Sequence, residues 1–175
     1  MSSEKFKSYL NIYISDITEE EITRKFAHRY RSAGKVAKEL YMNKPNIILS
    51  EQDLHRLETM LEHQSKLTPT MEHLEDEMAR AEVVAPQDVP ANVVSMNAKV
   101  LINIAPATEA TEITLVYPHD FRGDKGQVNV LAPVGAAILG LAEGQEIEWP
   151  QPDGHTMKVK IIKVLYQPER EGDYL

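Results

Sequence analysis

Six histidines, no cysteine and two runs of three carboxylates are what this chain of 175 residues offers to chemistry. His55 and His63 stand eight apart in one helical stretch and His73 lies in the next, so a hairpin could bring some of them together. A zinc-type site needs three or four converging ligands, and three histidines spread over two helices form no metal pattern of that kind. The stretch "GDKG", Gly123 to Gly126, shares only its glycines with a phosphate loop. It lacks the Gly-Lys-Ser/Thr ending and the helix that must follow, and reads as a flexible connection between strands. No Gly-x-Ser-x-Gly elbow occurs. Without cysteine there are no disulfides, thiolate ligands or thiol nucleophiles. The acidic run Glu75, Asp76, Glu77 reads as the solvated face of a helix. The sequence thus predicts no catalytic residue, no metal ion and no cofactor.

The most distinctive segment is also empty of chemistry. "NVLAPVGAAILGLAEGQEIEW", Asn129 to Trp149, holds no Ser, Cys, His or Lys, and its acids Glu143, Glu146 and Glu148 fall at its far end. It reads as a strand, a Pro-Val-Gly turn, one short apolar helix and a second strand. Such a segment suits docking and support.

The elements around it divide the chain into four zones. Residues 1–41 contain a candidate helix from Glu19 to Leu40, with Thr18 as N-cap, Glu19, Glu20 and Glu21 against the helix dipole, and Ile22, Phe26, Ala33, Ala37 and Leu40 at helical spacing. It is either a surface helix of the body or an extension, since Met42 reads well as a start of its own. Residues 42–84 read as a helical hairpin. Ser50 caps the first arm, with Asp53 at the third position as an approximate capping box, and Leu54, Leu57 and Leu61 form a stripe. "KLTPT" breaks the helix; Thr68 caps the second arm, Pro69 takes its first position, and Met71, Leu74 and Met78 form the facing stripe. Facing stripes suit a short antiparallel coiled coil, or two helices lying on the core. Residues 85–95, within "VVAPQDVPANVV", read as a linker. Residues 96–175 read as mainly β. "AKVLINIA" and "EITLVYP" make a hairpin, "VNVLA" is a third strand, "VGAAILGL" is a buried helix, and "QEIEW" and "HTMKVKIIKVLY" flank a Pro-Asp-Gly turn.

Charge narrows the partners. The net charge is −8, but residues 1–41 carry eight Lys/Arg against six Asp/Glu, leaving eleven against twenty-one in the remainder. So acidic a body is a poor non-specific binder of nucleic acid, which demands clustered Lys and Arg. No stretch approaches the roughly 20 apolar residues that span a bilayer, and the expected location is the cytoplasm.

From Met42 to Leu175 the chain resembles the Rnk family, bacterial regulators of nucleoside diphosphate kinase related to the Gre transcript-cleavage factors. The resemblance is carried in order by "KPNIILSEQDLHRLETML", "DVPANVVSMNAKV", "TLVYP", "VLAPVGAAILGL" and "LYQPEREGDYL". It implies an α+β protein: a short antiparallel coiled-coil helical hairpin followed by an FKBP-like antiparallel β-domain with one short helix. Gre-type factors dock the second domain on the β′ rim of the RNA polymerase secondary channel and send the coiled coil inwards. In true cleavage factors, tip carboxylates hold a magnesium ion that activates water. Here the tip, Gln64, Ser65, Lys66, Leu67, Thr68 and Pro69, has no Asp or Glu, and hard cations need carboxylate oxygens, so the resemblance implies binding without transcript cleavage. The polymerase-contacting loop corresponds to Leu131, Ala132, Pro133, Val134 and Gly135. Pro133 and Gly135 shape a turn, Val134 offers an apolar contact, and "AAILGL" anchors it from behind; the same residues could equally be plain core. The expected partner is RNA polymerase, with no direct contact to nucleic acid and no membrane, and a monomer is favoured over a dimer formed through the Leu54 and Met71 stripes.

Two other functions fit parts of this pattern. A direct regulatory partner of a metabolic enzyme, such as the kinase itself, would use the same acidic surface and hydrophobic loop. An FKBP-type peptidyl-prolyl isomerase would need a deep aromatic-lined pocket, for which the β-domain offers Tyr117, Phe121, Trp149, Tyr166 and Tyr174.

Overall fold

The computed structural model describes residues 44–151 and 153–173, and residues 45–175 form one compact unit. The helix expected over Glu19 to Leu40 lies outside the described residues. The chain enters as a short strand, β1 (Ile48–Ser50), and turns into α1 (Glu51–Glu62). Ser50 is the N-cap: its hydroxyl accepts from the Asp53 amide at 3.0 Å, satisfying one of the amide donors that a helix start leaves open. A connection through Lys66 and Leu67 leads to α2 (Pro69–Arg80). There Thr68 Oγ1 accepts from the Met71 amide and the Thr68 amide reaches back to Met71 Sδ, with Pro69 at the first helical position. Replacing Ser50 by alanine is expected to cost about 1 kcal/mol, read as a lower denaturant midpoint at unchanged slope.

β2 (Glu82–Val84) then pairs parallel with β1, Leu49 opposite Val83. This pair ends just before the expected linker, in which Val89, Val93 and Val94 are buried, with Val93 bridging Ala142. Val89 and residues 93–95 are thus anchored in the unit while residues 90–92 are exposed, and no boundary between compact units falls there. Periodicity missed β2 because a strand of three residues carries too little alternation to read.

The main sheet contains β3 (Lys99–Ile104), β4 (Thr111–Val116), β5 (Gln127–Asn129), β6 (Glu146–Pro150) and β7 (Thr156–Tyr166), in the order β5-β4-β3-β7-β6. The β3–β4, β3–β7 and β6–β7 pairs are antiparallel, but β5 runs parallel to β4. The expected all-antiparallel sheet is thus mixed. The long connection over residues 117–126 carries the chain back so that β5 enters from the same end as β4, as a parallel pair requires.

One core unites these parts. α3 (Pro133–Ile138) lies against the sheet, and Ala136, Ala137, Ile138 and Leu139 are buried. Leu57 and Leu61 of α1 and Leu74 and Met78 of α2 join the same cluster as Val100, Leu115, Val130, Trp149 and Ile161. A free coiled coil would pair its stripes with each other alone; here they are shared with the sheet, and each fully buried leucine contributes about 2 kcal/mol. Asp76 and Glu77 are buried too, correcting the reading of the acidic run as a solvated face. Glu77 pairs with Arg80, whose guanidinium also donates to the Pro45 carbonyl at 2.8 Å and so ties α2 to the start of the unit.

Candidate functional site

The loop from Leu131 to Gly135 is built by Asn129. Its side-chain oxygen accepts from the Leu131 amide at 2.8 Å and its carbonyl from the Ala132 amide at 2.9 Å, so the turn after β5 is held before α3 begins. Pro133 fixes the first helical φ, and the Ala136 amide closes on the Ala132 carbonyl. Leu131, Ala132, Pro133 and Val134 are half-buried, with Leu131 and Val134 packed on the core by part of their surface. Gly135 is buried for a steric reason: a Cβ there would lie 2.2 Å from the Asn129 carbonyl oxygen. The expected site residues therefore divide. Four present a fixed, partly apolar ridge, and the fifth lets the helix press against the strand behind it.

At the other expected site, Gln64, Ser65, Lys66, Thr68 and Pro69 are exposed, while Leu67 is half-buried against the core. The tip is polar and carries no carboxylate. The histidines among the described residues lie elsewhere. His55, His63 and His119 line an open groove with Arg56, Thr59, Met60, Gln64 and Tyr117. His119 stacks on Tyr117 with ring centroids 5.6 Å apart and pairs with Asp120 at 3.2 Å, while a His63 ring nitrogen meets the Thr59 carbonyl at 2.6 Å. Among the described residues no three His, Asp or Glu side chains are placed to hold a metal ion.

Sequence reasoning missed the polar centre of the unit. Asp53, read as half of a capping box, instead turns inward on the buried face of α1. It accepts from the Tyr117 hydroxyl at 2.8 Å and the Met96 amide at 3.1 Å. Burial pushes its carboxyl pKa up, against the two hydrogen bonds and the charge of Arg56. Tyr117 is likewise pushed up, first by burial and then by the Asp53 charge. Two aromatics suggested for an isomerase pocket are thereby accounted for as structure, since Tyr117 serves Asp53 and Trp149 is fully buried, edge-on to His73 at 6.0 Å. The signal available in the sequence was Asp53 itself, in phase with Leu57 and Leu61.

The family described as "Rnk N-terminus" matches residues 45–84, and "Transcription elongation factor, GreA/GreB, C-term" matches residues 89–166. The "Regulator of nucleoside diphosphate kinase" of Escherichia coli K12 is 37% identical over 135 residues, 77% of this chain and 99% of that protein. The "Transcription elongation factor GreA" of Thermodesulfovibrio yellowstonii is 28% identical over 106 residues, 61% of this chain and 66% of that one. Among solved structures, a "Prokaryotic transcription elongation factor GreA/GreB" from Nitrosomonas europaea superposes with a TM-score of 0.58 at 46% identity, covering 70% of this chain and all of that one. With a relative of that identity spanned almost end to end, and with Rnk-type and Gre-type parts in succession, the chain belongs to the family of regulators of nucleoside diphosphate kinase, relatives of the Gre factors.

Proposed function

We propose that this protein is a non-catalytic transcription regulator that docks on RNA polymerase at the rim of the secondary channel through Leu131, Ala132, Pro133 and Val134. It acts as a monomer in the cytoplasm, and it competes there with Gre-type factors. The observation that carries this reading is the ridge itself: a half-exposed apolar turn, fixed by Asn129 and Pro133, inside the part of the chain that matches the Gre C-terminal family. The β-part is proposed to work as the FKBP-like domain of those factors, and the helical pair as their shortened coiled-coil arm. Two observations support regulation without transcript cleavage. The exposed tip offers no carboxylate to a hard cation. Each arm of 12 residues is only about 18 Å long at 1.5 Å per residue, and its stripe is already committed to the core.

The test is a pull-down of polymerase core enzyme by wild type and by Val134→Asp, after both are shown to melt alike. Wild type is expected to bind and to be displaced by a GreA-type factor. The aspartate, facing an apolar partner surface without a counter-charge, is expected to weaken binding at least tenfold, more than 1.4 kcal/mol. Equal binding by the variant would remove the ridge from the interface. The name of the Escherichia coli relative favours a second reading, direct control of the kinase. Failure of wild type to bind polymerase, with capture of purified nucleoside diphosphate kinase, would establish that one.

A further inference from the structure

The outer face of the sheet sets lysines beside exposed hydrophobics on an otherwise acidic body. β7 carries Lys158, Lys160 and Lys163 on its exposed side, and Lys99 stands on neighbouring β3. Lys99 and Lys158 are ion-paired, to Glu112 at 3.5 Å and Glu146 at 2.8 Å; Lys160 faces Glu146 across the β6–β7 pair outside ion-pair distance, and Lys163 forms no ion pair among the described residues. Two of the three exposed large hydrophobics among the described residues lie beside them: Ile162 is 42% and Leu165 36% exposed.

Both owe that exposure to the backbone. The pairing of β7 with β3 slips twice, once between Leu101 and Ile102 and once between Lys99 and Val100. The residues left over are Ile162 and Leu165, while Ile161 and Val164 stay buried. A bulge re-aims a side chain at the expense of ladder hydrogen bonds, so its orphaned groups need other partners. They have them. The Val164 amide donates to Glu143 Oε1 at 2.8 Å, and the Leu165 carbonyl accepts from the Arg170 guanidinium at 2.8 Å. These bulges are held open by dedicated side chains, and what they display is two large hydrophobics among lysines.

We infer that the outer face at Lys160, Ile162, Lys163 and Leu165 is a second protein-docking surface, occupied by an acidic segment of the polymerase whose apolar residue beds between Ile162 and Leu165. The inference rests on the polymerase reading above and extends it to a second face. Charge complementarity selects the occupant: Lys160 and Lys163, the two lysines outside the ion pairs of this face, favour an acidic partner, and the apolar pair fixes where it sits.

The experiment compares the affinity of the full chain for polymerase core enzyme at low and high salt, with labelled single-stranded RNA as a parallel probe. The variants are Lys160→Glu/Lys163→Glu, Ile162→Ser/Leu165→Ser and Val134→Asp. The altered outer-face side chains are exposed, and matching melting curves confirm that the fold survives. The lysine pair is expected to lose about tenfold in affinity at low salt and to flatten the salt dependence, while the apolar pair loses about tenfold with the salt dependence kept. Wild-type affinity in both pairs, with loss only in Val134→Asp, overturns the second surface and leaves the polymerase reading intact. Wild type failing to bind polymerase overturns both. RNA binding that disappears in the lysine pair, with polymerase binding retained, reassigns the face to nucleic acid.

Discussion

Gly135→Ala is expected to destabilise the protein by about 3 kcal/mol, roughly 10 °C in melting temperature, as read by thermal and denaturant unfolding. The added Cβ would sit 2.2 Å from the Asn129 carbonyl oxygen, 2.9 Å from its carbon and 2.9 Å from the Val130 Cα, all backbone atoms with no rotamer to yield. Relief requires α3 to move off β5, and α3 is wedged between the sheet and the rest of the core through Ala136, Ala137 and Ile138. The glycine has a negative φ, so the cost is contact and not backbone strain. The same displacement would shift Pro133 and Val134, so polymerase affinity should fall together with stability. Val134→Asp should lower affinity alone. That contrast separates scaffold from contact within five consecutive residues, and a Gly135→Ala protein as stable as wild type would show that the helix has slack the packing does not suggest.

What could be read from the sequence was what is local. Ser50, Thr68 and Pro69 announce two helix starts because a cap is made by residues three apart, and the structure places both starts there. The Pro-Asp-Gly turn and the alternation of Met157, Val159 and Ile161 are equally local, and β6 and β7 follow from them. The loop from Leu131 to Gly135 stood out for a composition that only packing could justify. What escaped was decided at a distance. Glu77 is buried beside Arg80, whose guanidinium also reaches the Pro45 carbonyl, 35 residues before the arginine. The parallel β5 depends on the path of a long loop, and the bulges in β7 on Glu143 and Arg170 arriving from other segments. Neither propensity nor period contains those partners.

Asp53, too, is held by partners far along the chain, Met96 and Tyr117. Asp53→Ala is expected to cost about 3 kcal/mol near pH 4, because it strands the Tyr117 hydroxyl and the Met96 amide, two buried donors at about 1–3 kcal/mol each. The loss should shrink as pH rises, and the sign follows from the direction of the shift. Burial raises the folded pKa above the ordinary 3.8, so the folded chain holds this proton more tightly than the unfolded one. The group's titration therefore contributes stability in full below 3.8 and loses it as pH climbs through the folded value. Glu169, also pushed up by burial, acts in the same direction, so Asp53→Ala should be compared with wild type at each pH and not with itself across pH. Unfolding curves of wild type, Asp53→Ala, Tyr117→Phe and the double variant at pH 4 and pH 7 close the cycle. Tyr117→Phe removes one of the two stranded donors, so the double variant should be less unstable than the sum of the singles, by about 1 kcal/mol or more. Additive losses would mean that the carboxylate is held by Met96 alone; a penalty that grows towards pH 7 would mean that its charge is welcomed in the core, contrary to its burial. The link to function is geometric: Asp53 ties α1 to Met96, just before β3, and to Tyr117, just after β4. If the arm of the proposed regulator is held by this tie, loosening it should weaken competition with cleavage factors before it weakens docking through Val134.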